Sequence, residues 1–479
     1  MDDTGDYTMQ HPARAGSPLL SETVVLTPAQ QHIFDRLVDF TRSDASVARL
    51  SGAAGTGKTT LIQHFVASIR GGARRIVMTA PTHKAAGVMR RGVSEGGTVV
   101  TMTLQSCLGL VPVRDTTTGE ETYQQQKPVK LKPGDLLLVD EASMVSSGML
   151  SMTLDAATLT GAQVLFVGDA YQLPPPSENT DDLLAKPPVF GAPGDAVIPL
   201  EHWHELTEIM RQAAGNPILA AAHQYRRFLI GEPMDPAALK PQTDDNGHGI
   251  EMMNGPQLTG EMQVLFGDME EAHNADVCRL VSYTNAKVIA GNNYIRSQIL
   301  GREPVPPFIA SEYAVSNTAV SEWDPVEKEE RLILLTDEIV TVISVRQAKR
   351  YGLDGHEVSV ERPSGDMITA FMPQSRTALD AHLKQMAATA ERAQGRERSK
   401  AWQAFFEVKN RCADLRSVYA CTVHKSQGST YDTTIINVRD ILDKGLRSGG
   451  PLISRLLYVA LTRARYRVII NAPLPYFRR

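Results

Sequence analysis

The amino-acid sequence predicts an α/β fold in which helices cover both faces of a parallel sheet. Strand and helix patterns alternate from residue 23 to about residue 198. A glycine-rich loop follows the apolar run at residues 47–50 and leads into an amphipathic helix. A second apolar run, residues 136–139, is typical of a strand buried in a parallel sheet, and it ends in two carboxylates. Together these features predict a nucleotide-binding domain.

The glycine-rich loop has the sequence GAAGTGKT over residues 52–59. Its glycines allow backbone N–H groups to turn inward around phosphates, and the helix that starts at Lys58 points its partial positive end at them. Lys58 would neutralise the β- and γ-phosphates of ATP, and Thr59 would offer its hydroxyl to Mg²⁺. An ordinary glycine-rich turn is the alternative, but the strand, loop and helix context favours a nucleotide site. The predicted nucleotide-binding residues in this segment are Gly52, Ala53, Ala54, Gly55, Thr56, Gly57, Lys58, Thr59 and Thr60.

Polar residues follow two later strands of the predicted sheet. Asp140 and Glu141 come directly after residues 136–139 and should face the same crevice as the loop. Asp140 would hold Mg²⁺ through water, and Glu141 would polarise the attacking water. A solvated turn is the alternative for this acidic pair, but the upstream loop favours catalysis. After a third strand at residues 164–167, Gln172 can both donate and accept hydrogen bonds, which suits a γ-phosphate sensor.

Five further strings occur in a fixed order along the chain. They are residues 26–30 (LTPAQ), 80–86 (APTHKAA), 206–212 (LTEIMRQ), 422–429 (TVHKSQGS) and 458–465 (YVALTRAR). Any one of them could arise by chance, whereas the whole ordered set could not. The chain resembles superfamily 1 helicases, most closely the 1B branch of Dda-type phage helicases and RecD-like proteins. The resemblance extends from about residue 26 to about residue 470, which is nearly the whole chain.

The resemblance implies two RecA-like lobes with ATP between them. Gln30 would recognise adenine, and Gly428 would border the nucleotide. Arg211 and Arg463 would reach the γ-phosphate from the second lobe, where cations can stabilise the charge of the phosphoryl transition state. The predicted catalytic residues are Lys58, Asp140, Glu141, Gln172, Arg211 and Arg463, and the predicted metal ligands are Thr59 and Asp140.

The same resemblance places a single nucleic-acid strand across the tops of both lobes. The predicted contacts are Pro81, Thr82, His83, Thr103 and Ser106 on the first lobe, and Thr284, Asn285, His424 and Lys425 on the second. Gln105 stands where the family commonly has histidine, but it can still hydrogen-bond a phosphate or a base edge. Residues 111–130 read as an inserted polar hairpin, which the resemblance makes the pin that splits a duplex. Tyr123 on this hairpin would stack on a base or pack on its own strand.

The domain boundaries follow from these patterns. Residues 1–22 are expected to be a disordered tail, and residues 23–198 the first RecA-like ATPase domain with its pin. The second RecA-like domain is expected at residues 199–325 and 415–479. Residues 326–414 contain short strand patterns followed by a helical stripe, and the family has an SH3-like β-barrel module with a helical segment at this place. The apolar side chains of the stripe, from Leu379 to Phe406, are expected to form core.

The implied activity is an ATP-dependent 5′→3′ DNA helicase and single-strand translocase that unwinds duplex DNA in phage or bacterial replication, recombination or repair. The polarity rests on the resemblance alone. An RNA helicase of the same superfamily and a translocase that strips proteins from single strands stay open as alternatives. The expected ligands are ATP, Mg²⁺, single-stranded DNA and duplex junctions, with single-strand-binding and replisome proteins as further partners of a monomer.

Composition is compatible with this interpretation. The net charge of −5 argues against coating nucleic acid by bulk attraction. Residues 416–479 contain eleven Lys and Arg against three acids, which places positive charge beside the last two motifs. The four cysteines form no CxxC pair, so neither zinc nor a disulfide framework is predicted. The sequence contains neither a signal peptide nor an apolar run of spanning length, so we expect a cytoplasmic protein, in the host cytoplasm if it is of phage origin.

Overall fold

The computed structural model describes residues 25–70, 72, 74–92, 98–114, 121–175, 186–191, 202–208, 210, 215–303, 307–324, 329–445 and 449–477. Within this part of the chain the strands are β1 (Val47–Gly52), β2 (Ile76–Ala80), β3 (Val99–Thr103), β4 (Leu110–Arg114), β5 (Glu121–Gln125), β6 (Leu136–Val139), β7 (Gln163–Gly168), β8 (Trp203–Leu206), β9 (Gln242–Thr243), β10 (Gly249–Met252), β11 (Cys278–Ser282), β12 (Tyr313–Ser316), β13 (Val320–Asp324), β14 (Glu329–Leu334), β15 (Ile339–Arg350), β16 (Leu353–Glu361), β17 (Met367–Pro373), β18 (Leu415–Ser417), β19 (Ala420–Thr422), β20 (Tyr431–Ile436) and β21 (Ala464–Ile470). The α-helices are α1 (Pro28–Arg42), α2 (Lys58–Ile69), α3 (His83–Gly92), α4 (Leu104–Cys107), α5 (Ser147–Thr160), α6 (Pro217–Ile230), α7 (Gly255–Glu271), α8 (Asn285–Tyr294), α9 (Arg376–Arg392), α10 (Gly395–Arg411), α11 (Val423–Ser426), α12 (Val438–Gly445) and α13 (Gly450–Leu461).

The first sheet has the strand order β3-β2-β6-β7-β1-β8, and every neighbouring pair is parallel. Strands β1, β2, β6 and β7 are buried along their whole length, as expected for strands covered on both faces. The register places Val139 opposite Phe166 and Leu50 opposite Val167. The carboxyl ends of β6, β7 and β1 are therefore level, and the segments that follow them meet at one edge. The predicted parallel α/β fold is confirmed.

The second sheet has the order β19-β11-β20-β21-β10-β9, and it is parallel except for the short edge strand β9. Ser282 at the end of β11 lies opposite Thr422 at the end of β19. The segments that begin at Tyr283 and Val423 therefore leave the sheet side by side. We call the first sheet with its helices the first lobe and the second sheet with its helices the second lobe.

A five-stranded antiparallel sheet, β17-β16-β15-β12-β18, accompanies the two lobes. We call this sheet, with the ribbon β13–β14 and the helices α9 and α10, the β module. Leu379, Trp402 and Phe406 are buried in the module, so the helical stripe forms core as predicted. A separate two-stranded ribbon, β4–β5, occupies the site of the predicted polar hairpin.

Three of the predicted domain boundaries are wrong. β8 pairs with β1, so residues 203–206 belong to the first lobe and not to the second. Met210 also donates its N–H to the Gly55 carbonyl at 3.0 Å, which keeps the next segment against the first lobe. β12 and β18 lie outside the predicted insert of residues 326–414, yet both are strands of the module sheet. These strands are too short for their pairing partners to be read from periodicity.

Helix α13 joins the two lobes through one hydrophobic core. Every residue from 453 to 461 is buried, because the sequence ISRLLYVAL leaves no solvent-facing stripe. Its apolar side chains share a core with Val139 and Phe166 of the first sheet and with Val468 of the second. The helix ends at Leu461, and β21 begins at Ala464.

None of the described helices combines the length and the apolar character that crossing a membrane requires.

Candidate nucleotide and nucleic-acid site

The glycine-rich loop bends as the sequence predicts. Gly55 and Gly57 have φ angles of 81° and 78°, in the left-handed region that side chains disfavour. Helix α2 begins at Lys58, and the Lys58 ammonium group lies within the loop, where it donates to the Gly52 carbonyl and, at 3.0 Å, to the Ala53 carbonyl. The loop therefore combines a helix N-terminus and a fixed cation at one point, an arrangement that suits bound phosphates.

Gln30 lies directly beside this loop. Its side chain is buried, and its Nε2 donates to the Thr56 carbonyl at 3.2 Å. Its Oε1 accepts the Thr27 N–H at 3.1 Å, which closes the capping box of α1. A Cβ at Gly57 would collide with the Gln30 amide, so the glycine is required by this close approach. The structure thus brings Gln30 to the nucleotide site, and its recognition of adenine stays a prediction.

The carboxylate pair follows β6 at the same edge. Glu141 has φ 49° and ψ 39°, a left-handed conformation that costs a non-glycine residue about 1 kcal/mol or more. The Asp140 carboxylate accepts the Glu141 N–H at 2.8 Å. Burial raises the pKa of both carboxyl groups. The neighbouring Asp140 raises the pKa of Glu141 further, whereas Arg463 and Lys58 lower the pKa of Glu141. The strained and electrostatically tuned Glu141 fits the role of a base that acts on water.

The loop after β7 carries Gln172 into the same crevice. Its side chain is buried, and within the described part of the chain its Oε1 has no hydrogen-bond partner. Arg455 of α13 donates to the carbonyls of Ala170 and Gln172 at 3.2 and 2.8 Å. The second lobe therefore holds the backbone of this loop, and the free amide oxygen of Gln172 can accept a hydrogen bond from a water molecule at the γ-phosphate.

The two predicted arginine fingers have different outcomes. Arg463 is buried and donates to the carbonyls of Val459 and Ser429 at 3.1 and 3.2 Å. Its charge also lowers the pKa of Glu141, so a cation of the second lobe acts on the first-lobe site. Arg211 lies outside the described residues, so its role as an arginine finger stays a prediction.

The residues present fit a nucleotide with a magnesium ion. The cradle offers the Lys58 ammonium, the first turn of α2 and the free Gln172 oxygen, and it excludes a Cβ at Gly52, which would lie 2.8 Å from Thr56 Oγ1. Thr59 is exposed at the start of α2, and Asp140 lies at the end of β6. Hydroxyl and carboxylate oxygens are ligands that Mg²⁺ accepts beside substrate phosphates. Gly428, with φ 70°, faces Ala85 of the first lobe across the cleft.

On the first lobe, most of the residues that are predicted to contact the nucleic-acid strand also stabilise the local protein structure. Thr82 and Thr103 cap α3 and α4, since their hydroxyl oxygens accept the N–H groups of Ala85 and Ser106 at 3.2 Å. Gln105, which replaces the family's histidine, donates to the Pro81 carbonyl at 3.0 Å and so ties these two segments together. Pro81, Thr82, His83, Thr103 and Ser106 therefore lie at the ends of the neighbouring strands β2 and β3. Their contact with nucleic acid stays a prediction.

On the second lobe, Thr284 also supports local structure. Its hydroxyl donates to Asp440 at 3.0 Å and accepts the Lys287 N–H at 3.3 Å, so it caps α8. Its contact with nucleic acid stays a prediction. Asn285 is exposed next to it, and burial lowers the pKa of His424, which lies against Tyr283. Asn285 and the neutral imidazole of His424 are the other candidates at this edge.

Lys425 is held by the β module. Its ammonium group donates to Asn317 Oδ1 at 2.7 Å and to Asp337 Oδ1 at 2.9 Å. Asp337 has φ 61°, in the left-handed region where Asp and Asn are better tolerated than most residues. The partly exposed carboxylate of Asp337 therefore forms an ion pair with Lys425, the cation that we predict to bind a phosphate of the nucleic-acid strand.

Replacing Asp337 with asparagine should tighten single-strand binding about three- to tenfold at low salt, because a phosphate then competes with a neutral amide for Lys425. Asparagine keeps the size of the side chain and tolerates the left-handed backbone. Fluorescence anisotropy with a labelled oligonucleotide measures the change. Asp354→Asn is the matched control, since Asp354 pairs with Lys349 on the exposed surface of the module. Weaker binding by Asp337→Asn would contradict this competition and make Asp337 a positioning partner.

Several residues of the site had no signal that sequence reasoning could use. Asp440 also accepts the N–H of Tyr283, and it lies 157 residues away along the chain. The Lys130 ammonium donates to Ser106 Oγ at 2.9 Å. Lys130 therefore adds a cation beside the residues of the first lobe that are predicted to contact the nucleic-acid strand. Arg455 on α13 precedes the predicted finger, and the apolar pattern around it indicates only core.

Comparison with known proteins supports the two-lobed architecture. A family model described as an AAA domain matches residues 25–232, and one described as the UvrD-like helicase C-terminal domain matches residues 417–470. The ATP-dependent DNA helicase dda of Enterobacteria phage T4 is 25% identical over 468 residues, which cover 92% of this chain and 98% of that protein. The ATP-dependent RecD2 DNA helicase of Deinococcus radiodurans is 34% identical over 174 residues, which cover 36% of this chain and 21% of that protein.

A solved structure of Pif1 helicases that unwind forked double-stranded DNA shares the fold. It covers 94% of this chain and 93% of its own, with a TM-score of 0.52 and 18% identity. The ordered motifs and these sequence matches support a superfamily 1B helicase.

Proposed function

We propose that this chain is an ATP-dependent helicase that moves 5′→3′ along single-stranded DNA and unwinds the duplex ahead of it. One observation carries the proposal: groups of the second lobe complete the nucleotide site of the first. The hydroxyl of Tyr458 on α13 accepts a hydrogen bond from the Ala54 N–H of the glycine-rich loop, and the charge of Arg463 lowers the pKa of Glu141. A nucleotide bound in such a cleft contacts both lobes, so its hydrolysis changes how the lobes sit relative to each other.

The chemistry is assigned to residues of this chain. Lys58 stabilises the charge of the β- and γ-phosphates, and Glu141 orients and polarises the attacking water. Gln172 senses that water through its free oxygen, and Arg463, with Arg211, stabilises the charge that develops on the transferred phosphoryl group. A magnesium ion held by Thr59 and Asp140 would supply further charge neutralisation at the phosphates.

The strand path follows the carboxyl ends of both sheets. Thr82, His83 and Ser106 on the first lobe, and Asn285, His424 and Lys425 on the second, form the proposed track, with Lys130 as an added cation. Contacts of this kind address phosphate and sugar, so binding should depend on salt and tolerate sequence. The preference for DNA follows the relatives, which include a T4 DNA helicase. The polarity, the monomeric state and duties in phage or bacterial replication, recombination or repair rest on the resemblance of the motifs.

We assign the ribbon β4–β5 to the duplex-splitting pin and the β module to the SH3-like module of the family. The ribbon pairs Pro112 with Tyr123 and leaves the first lobe just after Leu108, beside the strand path at Ser106. The side chain of Tyr123 lies outside the described residues. The antiparallel five-stranded sheet of the module supports the second assignment.

Tyr123→Ala should slow duplex unwinding about tenfold at an unchanged ATP hydrolysis rate, since stacking on an aromatic ring contributes about 1–3 kcal/mol per base. Unwinding is followed by strand displacement under single-turnover conditions, and hydrolysis is followed in the same samples. Tyr466→Ala, at a partly exposed tyrosine on β21 of the second lobe, is the control. Equal unwinding rates for Tyr123→Ala and the parent would remove the wedge role from Tyr123.

Strand displacement on tailed duplexes tests the proposed function. The substrates are 5′-tailed and 3′-tailed duplexes of DNA and of RNA, each with and without ATP and Mg²⁺. We expect displacement of the 5′-tailed DNA duplex alone. Displacement from a 3′ tail would remove the 1B polarity but keep a helicase, and displacement of RNA alone would make it an RNA helicase. If the protein hydrolyses ATP and removes bound streptavidin from single strands without opening duplexes, it is a stripping translocase.

A further inference from the structure

One buried hydroxyl group connects the glycine-rich loop to the second lobe. The Tyr458 hydroxyl accepts the Ala54 N–H at 2.9 Å and donates to the carboxylate of Asp169. Tyr458 is fully buried on α13, whereas Ala54 and Asp169 follow β1 and β7 of the first sheet. A phenol has one proton and can accept as well as donate, so both bonds form at once only at this spacing of the lobes.

The carboxylate end of this connection is rigid. Asp169 is fully buried, and its second oxygen accepts the Tyr171 N–H at 2.9 Å. The loop that continues to Gln172 is held by Arg455, one helical turn before Tyr458 on α13. Two side chains on one face of α13 therefore hold the start and the middle of the loop that carries the γ-phosphate sensor.

The other end of the connection leads to Arg463. The Arg463 Nε donates to the carbonyl of Val459, the residue next to Tyr458. A shift of Tyr458 relative to the loop therefore shifts the carbonyl that orients Arg463. Because α13 is buried along residues 453–461 and packs as a rigid unit, the hydroxyl fixes the distance between Ala54 and Arg463.

We propose that Tyr458 is a positioning residue for ATP hydrolysis, whose bonds to Ala54 and Asp169 set Arg463 and Gln172 at working distance from the phosphates. This inference rests on the proposed ATPase function and adds a residue to it. Tyr458 does not touch the transferred group, so it acts on turnover and not on nucleotide affinity. A misplacement of about 1 Å at a catalytic group can reduce a rate on the order of 100-fold.

The test removes only the hydroxyl, by Tyr458→Phe. We expect kcat for oligonucleotide-stimulated ATP hydrolysis to fall about 10- to 100-fold, with KM for ATP within about threefold of the parent value. In the nucleotide-free protein, hydrogen exchange of the peptide that contains Ala54 should accelerate at least about tenfold, because its amide loses its acceptor. Tyr225→Phe is the matched control, since Tyr225 is also fully buried and donates its hydroxyl proton to a carbonyl, that of Pro475, away from the site.

A double-mutant cycle guards against a general loss of stability. Asp169→Asn keeps an acceptor for the Tyr171 N–H but weakens the bond from Tyr458. If the two residues act through each other, the double variant Tyr458→Phe, Asp169→Asn should be no slower than the slower single variant, whereas independent effects would multiply. A Tyr458→Phe protein that matches Tyr225→Phe in kcat and in exchange at Ala54 would overturn the inference. A parent protein without ATP hydrolysis would instead overturn the proposed function, and the inference with it.

Discussion

Lys58→Ala should reduce ATP turnover by a factor on the order of 10²–10³ and abolish duplex unwinding. The Lys58 ammonium is the cation that lies inside the glycine-rich loop, bonded to the carbonyls of Gly52 and Ala53. Preorganised donors aimed at developing charge typically contribute this much to a rate when they are removed singly. Arginine is not expected to rescue the activity, because its planar fork does not fit where a compact ammonium group sits.

The measurement for this prediction is steady-state phosphate release at saturating single-stranded DNA, paired with thermal unfolding to show that the variant is folded. Lys400→Ala is the matched control, because Lys400 is an exposed lysine on α10 of the β module. Lys58→Ala protein that unwinds duplex at the parental rate would show that the glycine-rich loop is not the motor's ATP site.

Glu141→Gln should separate nucleotide binding from hydrolysis. We expect turnover to fall about 10²–10³-fold, since the amide cannot accept the proton of the attacking water, while ATP still binds. The variant should then stay in the ATP-bound state and retain single-stranded DNA longer than the parent does. Binding of a fluorescent ATP analogue and single-turnover hydrolysis distinguish the two steps. Loss of both would place Glu141 in the binding machinery instead.

The same substitution should also stabilise the metal-free protein at alkaline pH. Burial and the neighbouring Asp140 raise the pKa of Glu141, so the folded protein is destabilised as pH rises through that pKa and the carboxyl group ionises. Glutamine carries no such charge. The difference in melting temperature should be on the order of a few degrees at pH 8 and should shrink as the pH falls below the ordinary range of glutamate. A lower melting temperature for Glu141→Gln at pH 8 would contradict this electrostatic account.

The features that depend on residues close together along the chain could be predicted from the sequence. The run at residues 136–139 and the start of α2 at Lys58 are as predicted, because buried parallel strands and glycine-rich loops have strong local signatures. The ends of those strands then place Lys58, Asp140, Glu141 and Gln172 at one edge, since every strand pair of the first sheet is parallel.

The sequence was not sufficient for contacts that the fold creates between distant segments. Tyr458 and Ala54 are 404 residues apart, and Lys425 and Asp337 are 88 apart. Neither pair has a spacing that a pattern could detect. Thr284 was predicted to bind the strand from its place in a motif, and the hydrogen bond from its hydroxyl to Asp440 could not be read from that place. The short strands β8, β12 and β18 are defined by their partners, so the domain boundaries near residues 199, 326 and 414 could not be read from periodicity.

We infer that ATP hydrolysis between the two lobes is coupled to a nucleic-acid strand that crosses both of them. This coupling is measured by the ATP hydrolysis rate of the purified protein with and without a single-stranded DNA oligonucleotide. Saturating oligonucleotide should raise kcat at least about tenfold, because strand binding across both lobes favours the closed cleft in which Arg463 meets the phosphates. An identical rate with and without oligonucleotide would show that hydrolysis and strand binding are not coupled.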